Sequence, residues 1–373
     1  MRKRDRFLLC IFHFAFCIGI IGCATYEKQP PPPVTRESSQ EKAERCYNNG
    51  FQYLKNRMFQ DAIHNFNCAV AESITYTDAY IGLAQAHLEE SNWGMAESTY
   101  SRGLAVLPGE AKLFYGLGYV FRKKGDVERA ILQYRKGIEL NPGDPTGYRS
   151  LGALYEELDR WDDAIGEYKK AKGLDPTGLE AQRSLARVYM KKEDYPRAIQ
   201  ELEEVKAKES NDLKARRLLG KAYLESGAYK KAMEECFFAS QKEPDNPEDY
   251  LFIARCYSGL KKYKEAVAEF EKAIALNPKN PESYYYLIHL FIDRKHFANA
   301  EKRLGEAMAL EISDKTHFFV LRADILFEKG KYPEAIASYR SIQTDPKWKK
   351  YIETQIKRAE AKIEEEKIKR EGF

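Results

Sequence analysis

The 373-residue sequence carries no large surplus of charge: 61 lysines and arginines face 57 aspartates and glutamates, a formal +4. Four of those bases, Arg2, Lys3, Arg4 and Arg6, crowd the N-terminus against Asp5 alone. The rest of the chain is therefore close to neutral, without the electrostatic footprint of a nucleic-acid binder. One long apolar run exists, from Phe7 to Gly22, too short to span a bilayer comfortably. Cysteine is scarce: beyond Cys10, Cys17 and Cys23 only Cys46, Cys68, Cys236 and Cys256 remain, without CxxC spacing, so zinc is not expected. His64, His87, His289, His296 and His317 form no HExxH or other short metal motif. GxSxG, Walker-type and dinucleotide-binding glycine patterns are missing; Gly116-Leu117-Gly118 lacks a third glycine and reads as helix packing. No carboxylate pair stands out as acid and base. The sequence thus predicts no catalysis, no metal and no cofactor.

Residues 1–22, with a basic head and an apolar run, read as a signal peptide to be kept out of the fold. The run ends in Ile20-Ile21-Gly22-Cys23, which resembles a bacterial lipobox, although Ile21 stands where a small or polar residue is commoner. The resemblance implies lipidation of Cys23, with palmitate among its acyl chains. Ala24 rather than aspartate after it implies an outer-membrane anchor facing the periplasm. Residues 23–42 include Pro30–Pro33, which favour an extended polyproline spacer. Four cysteines remain beyond the anchor. Pairs Cys46–Cys68 and Cys236–Cys256 are open to disulfide formation in an oxidising compartment, but buried thiols on helix faces are the commoner arrangement.

What the chain does have is a ruler. Ala62, Ala96, Ala130, Ala164, Ala198, Ala232, Ala266 and Ala300 recur every 34 residues, and Ala335 follows after 35. Four residues past each stands a larger side chain: Phe66, Tyr100, Tyr134, Tyr168, Leu202, Cys236, Phe270, Leu304 and Tyr339. Twelve before it comes another small residue in most units, such as Gly50, Gly118, Gly152 and Gly220, with Ile288 as the exception. Prolines 108, 142, 176, 244 and 278 close units. Small residues let antiparallel helices approach, bulky ones fill the flanking grooves, and each pair must stack on the next to bury its open face. Aromatics three before the alanine, such as Trp93, Trp161 and Tyr263, read as packing at the turn.

This pattern resembles the tetratricopeptide repeat (TPR). Nine units over residues 43–346 predict an all-α, right-handed superhelical solenoid of helix-turn-helix repeats. Repeat 5 closes without proline at Lys208-Glu209-Ser210-Asn211, and repeat 8 gains a residue near Ser313–Lys315, so irregularity is expected at both. Over residues 347–373, Trp348, Ile352, Ile356, Ala359 and Ile363 lie at helical spacing and predict a C-terminal capping helix with a frayed, charge-dense end from Glu364.

The family resemblance implies that each repeat's first helix lines a concave groove. Carried onto this period, the rule places Lys112, Tyr115, Tyr119, Arg122, Lys123 and Arg149 on the wall of the third and fourth repeats. Arg183, Arg187, Lys191, Lys214, Arg217, Lys221 and Arg255 follow in the fifth to seventh. These cations outnumber Glu156, Glu157, Glu180, Glu225 and Glu248, whereas both ends of the groove are acidic. An electropositive middle suits an acidic or C-terminal peptide stretch, because arginine binds carboxylates in pairs and tyrosine adds rigid contact area. The chain looks like the outer-membrane TPR lipoproteins of pilotin or assembly-factor type. The resemblance implies a non-catalytic scaffold in the bacterial envelope that grips a protein partner during assembly of a pilus, a secretion pore or the outer membrane. Two other readings stay open: a peptidoglycan-associated enzyme or enzyme adaptor, and a self-associating structural protein of unknown oligomeric state.

Overall fold

The computed structural model describes residues 37–312, 314–342 and 345–371. Residues 1–36, which include the expected signal peptide, Cys23 and the proline run, lie outside the described residues. Nine helix pairs follow in chain order. The first four are α1 (Ser39–Lys55) with α2 (Phe59–Glu72), α3 (Thr77–Glu89) with α4 (Trp93–Val106), α5 (Ala111–Lys123) with α6 (Val127–Leu140), and α7 (Pro145–Glu157) with α8 (Trp161–Leu174). Then come α9 (Leu179–Lys191) with α10 (Tyr195–Lys208), α11 (Leu213–Glu225) with α12 (Tyr229–Lys242), and α13 (Pro247–Gly259) with α14 (Tyr263–Leu276). The chain closes with α15 (Pro281–Asp293) and α16 (Phe297–Met308), α17 (Thr316–Glu328) and α18 (Tyr332–Arg340), then the single α19 (Lys349–Glu371). The fold is an all-α solenoid with a terminal helix, and no strand occurs among the described residues.

The ruler is a packing device. All nine periodic alanines are 0% exposed, and every larger residue four positions later is buried. The small residue of the first helix faces that larger side chain of the second. A Cβ built on Gly118 would lie 2.7 Å from the Tyr134 ring, one on Gly152 2.9 Å from Tyr168, and one on Gly50 2.9 Å from Phe66. Ring and glycine fit each other so closely that the helices cannot slide.

Local chemistry sets the boundaries. Asp144, Asn246 and Asn280 cap α7, α13 and α15 through side-chain oxygens, each followed by proline in the first turn. After each first helix the chain turns through the left-handed region, always at the same point of the period. Gly125, Gly227 and Gly330 take it at φ 76–79°, but Arg57, Ser91, Asp159, Glu193, Lys261 and Lys295 take it at φ 55–61°. The turn geometry is thus imposed by the helix pair even where no glycine eases it.

Several details differ from the sequence reading. Helix α1 begins at Ser39, four residues before the expected start, because Ser38 and Glu41 form a reciprocal capping box. Repeat 5 is regular: Asp212 caps α11 by accepting from the Ala215 N–H, doing locally what proline does elsewhere. Repeat 8 does depart from the pattern, with α16 ending at Met308 and α17 starting only at Thr316. The charge-dense end of α19 remains helical through Glu371. Cys46 and Cys68 form a disulfide between α1 and α2 rather than staying thiols. Cys236 and Cys256 are free and buried; burial pushes both thiols up, Cys256 to about 12.

Consecutive odd-numbered helices touch one another, among them α3 with α5, α5 with α7, α9 with α11 and α11 with α13. Even-numbered helices do not approach each other as closely. The odd helices therefore form the tighter, inner layer of a curved stack. Helix α19 closes the far end by burying Ile352, Ile356 and Ala359 against Phe327, Ile336 and Tyr339. Its Tyr351 hydroxyl donates to Asp324 at 3.0 Å, and the Tyr339 hydroxyl donates to the same oxygen.

Replacing Gly118 with alanine should destabilise the protein by about 1–3 kcal/mol through overpacking against Tyr134. Pairing it with Tyr134→Leu should recover part of that loss, so urea denaturation of both singles and the double should be non-additive. A second expectation concerns the cap. Burial pushes the Asp324 carboxyl above its ordinary 3.8, against the pull of the two hydroxyl donors. With the folded value raised, ionisation of Asp324 costs stability as pH climbs from about 4, and the cost is complete above the folded value. Asp324→Asn, which keeps an acceptor, should raise the melting temperature at pH 7 and lose that advantage near pH 4.

Candidate functional site

The inner wall brings many of the expected residues together. Arg122 from α5, Arg149 from α7, Arg183 and Arg187 from α9, and Lys214 from α11 line one cavity of about 420 Å³. Four successive repeats contribute, because a first-helix position recurs at nearly the same height in each unit. Glu180 lines it too, as do Thr146, Ser150, Ala153, Tyr168 and Ser184, which the charge pattern had not singled out.

The arginines are engaged with neighbouring repeats. Arg187 holds Glu156 with two hydrogen bonds, Nε at 2.6 Å and Nη2 at 2.9 Å, and the Tyr168 hydroxyl donates to the same carboxylate at 2.9 Å. The Glu156 hydrogen bonds hold the Arg187 guanidinium above its usual range. Arg149 pairs with Glu180 and Arg183 with Asp212. Arg122 Nε lies 3.1 Å from Glu157 but is not aligned for a hydrogen bond. Arg255 reaches Glu225 at 3.0 Å and stacks 4.3 Å from the Tyr286 centroid. Each pair joins one unit to its neighbour, a ladder that ties successive inner helices together.

Arg217 differs in kind. It bonds Glu243 at 2.7 Å and Asp249 at 2.9 Å, and Asp249 is completely buried. Burial raises the Asp249 carboxyl while Arg217 draws it down; the net direction is upward, so desolvation outweighs the pairing. Arg217 is therefore the counter-charge of a buried acid and a poor candidate for releasing a donor to a ligand.

The tyrosines divide likewise. Tyr115, expected on the wall, is 6% exposed: its ring packs over Gly137 and Gly147, and its hydroxyl donates to the Gly137 carbonyl at 3.1 Å. It belongs to the core because glycine in the two facing helices leaves a ring-sized space. Tyr119 is exposed, with Arg122 at 5.4 Å and Lys123 at 5.6 Å from its centroid. Lys112, Lys123, Lys191, Lys214 and Lys221 are exposed and make no ion pair among the described residues. The free positive charge of the wall therefore resides in its lysines. Asp212 and Glu243 at helix caps and Asp249 in the first turn of α13, which neutralise arginines, were missed by the sequence count; a base and an acid 26 to 32 residues apart is the signal that marks them. Among the described residues no three metal-ligating side chains converge.

Arg217→Ala should destabilise the protein by about 3–5 kcal/mol, since it leaves a buried carboxylate without its cation. Arg187→Ala should cost less, about 1–2 kcal/mol, because Arg187 is 45% exposed and the 16% exposed Glu156 keeps the Tyr168 hydroxyl as a donor. Urea denaturation of the two variants checks the contrast.

Family models described as TPR repeat and tetratricopeptide repeat match residues 118–159 and residues 156–222 with 259–311. A model of anaphase-promoting complex subunit 3 matches residues 191–273. No curated protein matches the chain. Among solved structures, the Cut9–Hcn1 hetero-tetramer of the anaphase-promoting complex has a TM-score of 0.53 at 14% identity, covering 77% of this chain and 55% of that one, a likeness of fold alone. A MamA protein is 28% identical over 45% of this chain and 92% of its own, with a TM-score of 0.42. PilF of Pseudomonas aeruginosa is 19% identical over 56% of this chain and 95% of its own, with a TM-score of 0.49. Over residues 118–222 and 259–311 the 34-residue ruler thus coincides with matches to tetratricopeptide-repeat models.

Proposed function

We propose that the protein is a non-catalytic scaffold, lipid-anchored through Cys23 in the bacterial outer membrane, that grips an acidic or C-terminal peptide stretch of a partner. The partner would belong to an envelope machine under assembly, such as a pilus, a secretion pore or the outer-membrane insertion apparatus. The observation that carries this reading is the cavity where Arg122, Arg149, Arg183, Arg187 and Lys214 converge from four inner helices. Its exposed pairs are weak enough to exchange: Glu180, the partner of Arg149, keeps 65% of its side chain in solvent. A surface ion pair is worth about 0–1 kcal/mol, so an incoming carboxylate can replace Glu180 at little cost. Lys214 offers donors that need no exchange. The neighbouring Tyr119 provides a face for an apolar side chain of the same segment.

Charge reversal at Lys214 and Arg149 together should weaken partner capture in envelope crosslinking by about tenfold or more, while helicity stays unchanged. Retained capture by this double variant would remove the groove from the mechanism. The anchor has its own check: palmitate labelling should disappear in Cys23→Ala, and the protein should leave the membrane fraction.

A further inference from the structure

A further cavity lies away from the groove, on the edge formed by the turns between first and second helices of the seventh and eighth pairs. It measures about 690 Å³. Lys261, Lys262 and Lys264 wall it at the turn into α14, and Arg294 and His296 at the turn into α16. Glu265 is the one carboxylate in its lining. Its floor is apolar, formed by Val267, Leu290 and Phe291, the latter two each 6% exposed.

Unlike the groove arginines, Lys261, Lys262, Lys264 and Arg294 form no ion pair among the described residues. Arg294 stacks 4.4 Å from the Tyr263 centroid, and Lys262 stands 5.9 Å from that of Tyr257. Rings hold the side chains in place without cancelling their charge. The backbone adds to the same field. Asp126 and Asp194 cap α6 and α10, but the corresponding residues of α14 and α16 are Lys262 and His296, and neither makes a side-chain cap bond. Like Met58, Arg160, Ala228 and Lys331 at other second helices, they leave the first-turn N–H groups without a side-chain cap, so two helix starts present positive ends at this edge, offset in α14 by Glu265 of its first turn.

We propose that this edge is a second docking site, for a partner peptide carrying one aromatic or aliphatic side chain between carboxylates. The apolar side chain enters the cavity and covers Leu290 and Phe291, while the flanking carboxylates meet Lys261, Lys264 and Arg294. A concave site with a buried floor suits a single side chain better than a flat anionic membrane, which would touch only the lysine tips. Unneutralised charge also speeds encounter with an acidic partner. The site is separate from the groove and stands whether or not the groove binds peptide.

The test uses the full chain in detergent and a fluorescent peptide, Glu-Asp-Phe-Asp-Glu, followed by anisotropy. The charge-reversing triple Lys261→Glu, Lys264→Glu, Arg294→Glu should weaken binding by about tenfold or more with helicity retained. Replacing the peptide's phenylalanine with serine should weaken it similarly. The milder pair Lys261→Ala, Lys264→Ala should give an intermediate loss, which guards against misfolding of the triple. Reversal at Lys214 and Arg149 in the groove should leave this phenylalanine-dependent binding in place. Three results would each overturn the proposal: no saturable binding of the peptide, loss caused by the groove variant but not the edge variant, or an edge variant that alters only attachment to phosphatidylglycerol vesicles.

Discussion

The structure depends on one contact repeated in eight of the nine pairs: a small residue on the first helix of a pair against a larger one on the second, Ile288 being the exception. Where the small residue is glycine, as at Gly118 or Gly152, the facing tyrosine lies so close that even a methyl group has no room. The ring loses nearly all its exposure, a burial worth about 1.5–3 kcal/mol for each large apolar side chain. Because each pair still leaves a face bare, stability grows by stacking, and the chain behaves as a row of units coupled to their neighbours. The two ends receive different treatment. Helix α19 buries the last face, and a disulfide joins the two helices of the first pair.

Charge couples the same units a second way. The inner-wall arginines reach across to acids of the adjacent repeat, so the pairs that shape the groove also bind one repeat to the next. Their exposure grades their role. Arg217 answers a buried aspartate and is architectural, whereas Arg149 meets a carboxylate that is mostly in solvent and can yield to a ligand. A groove of this kind is preorganised: its guanidinium groups are already extended and oriented, which lowers the entropy a bound segment must overcome.

Spare positive charge gathers, among other places, on two surfaces. On the inner wall it sits on flexible lysines, and at the turn edge of the seventh and eighth pairs it surrounds an apolar hollow. If both proposed surfaces bind, a long scaffold of this kind would hold two segments of one partner, or two partners, without either displacing the other. Lengthwise binding of that kind follows from the shape of a solenoid, whose exposed area increases with every repeat.

The sequence by itself determined the repeat, its register and the helix pairing, because small and large residues at a fixed interval admit one way of nesting two helices. It also determined that the second-helix aromatics pack at turns. Whether a groove cation was free was decided only by tertiary structure. Asp212, Glu243 and Asp249 lie 26 to 32 residues from the arginines they neutralise, and a count restricted to wall positions leaves them out. Tyr115 went to the core for a related reason: two glycines on facing helices opened a space that its own helix does not reveal. The basic hollow was invisible for the same cause, since Lys261 and Arg294 become neighbours only when adjacent pairs stack. Periodicity is a property of the chain, but charge neutralisation and cavity shape are properties of the contacts between repeats.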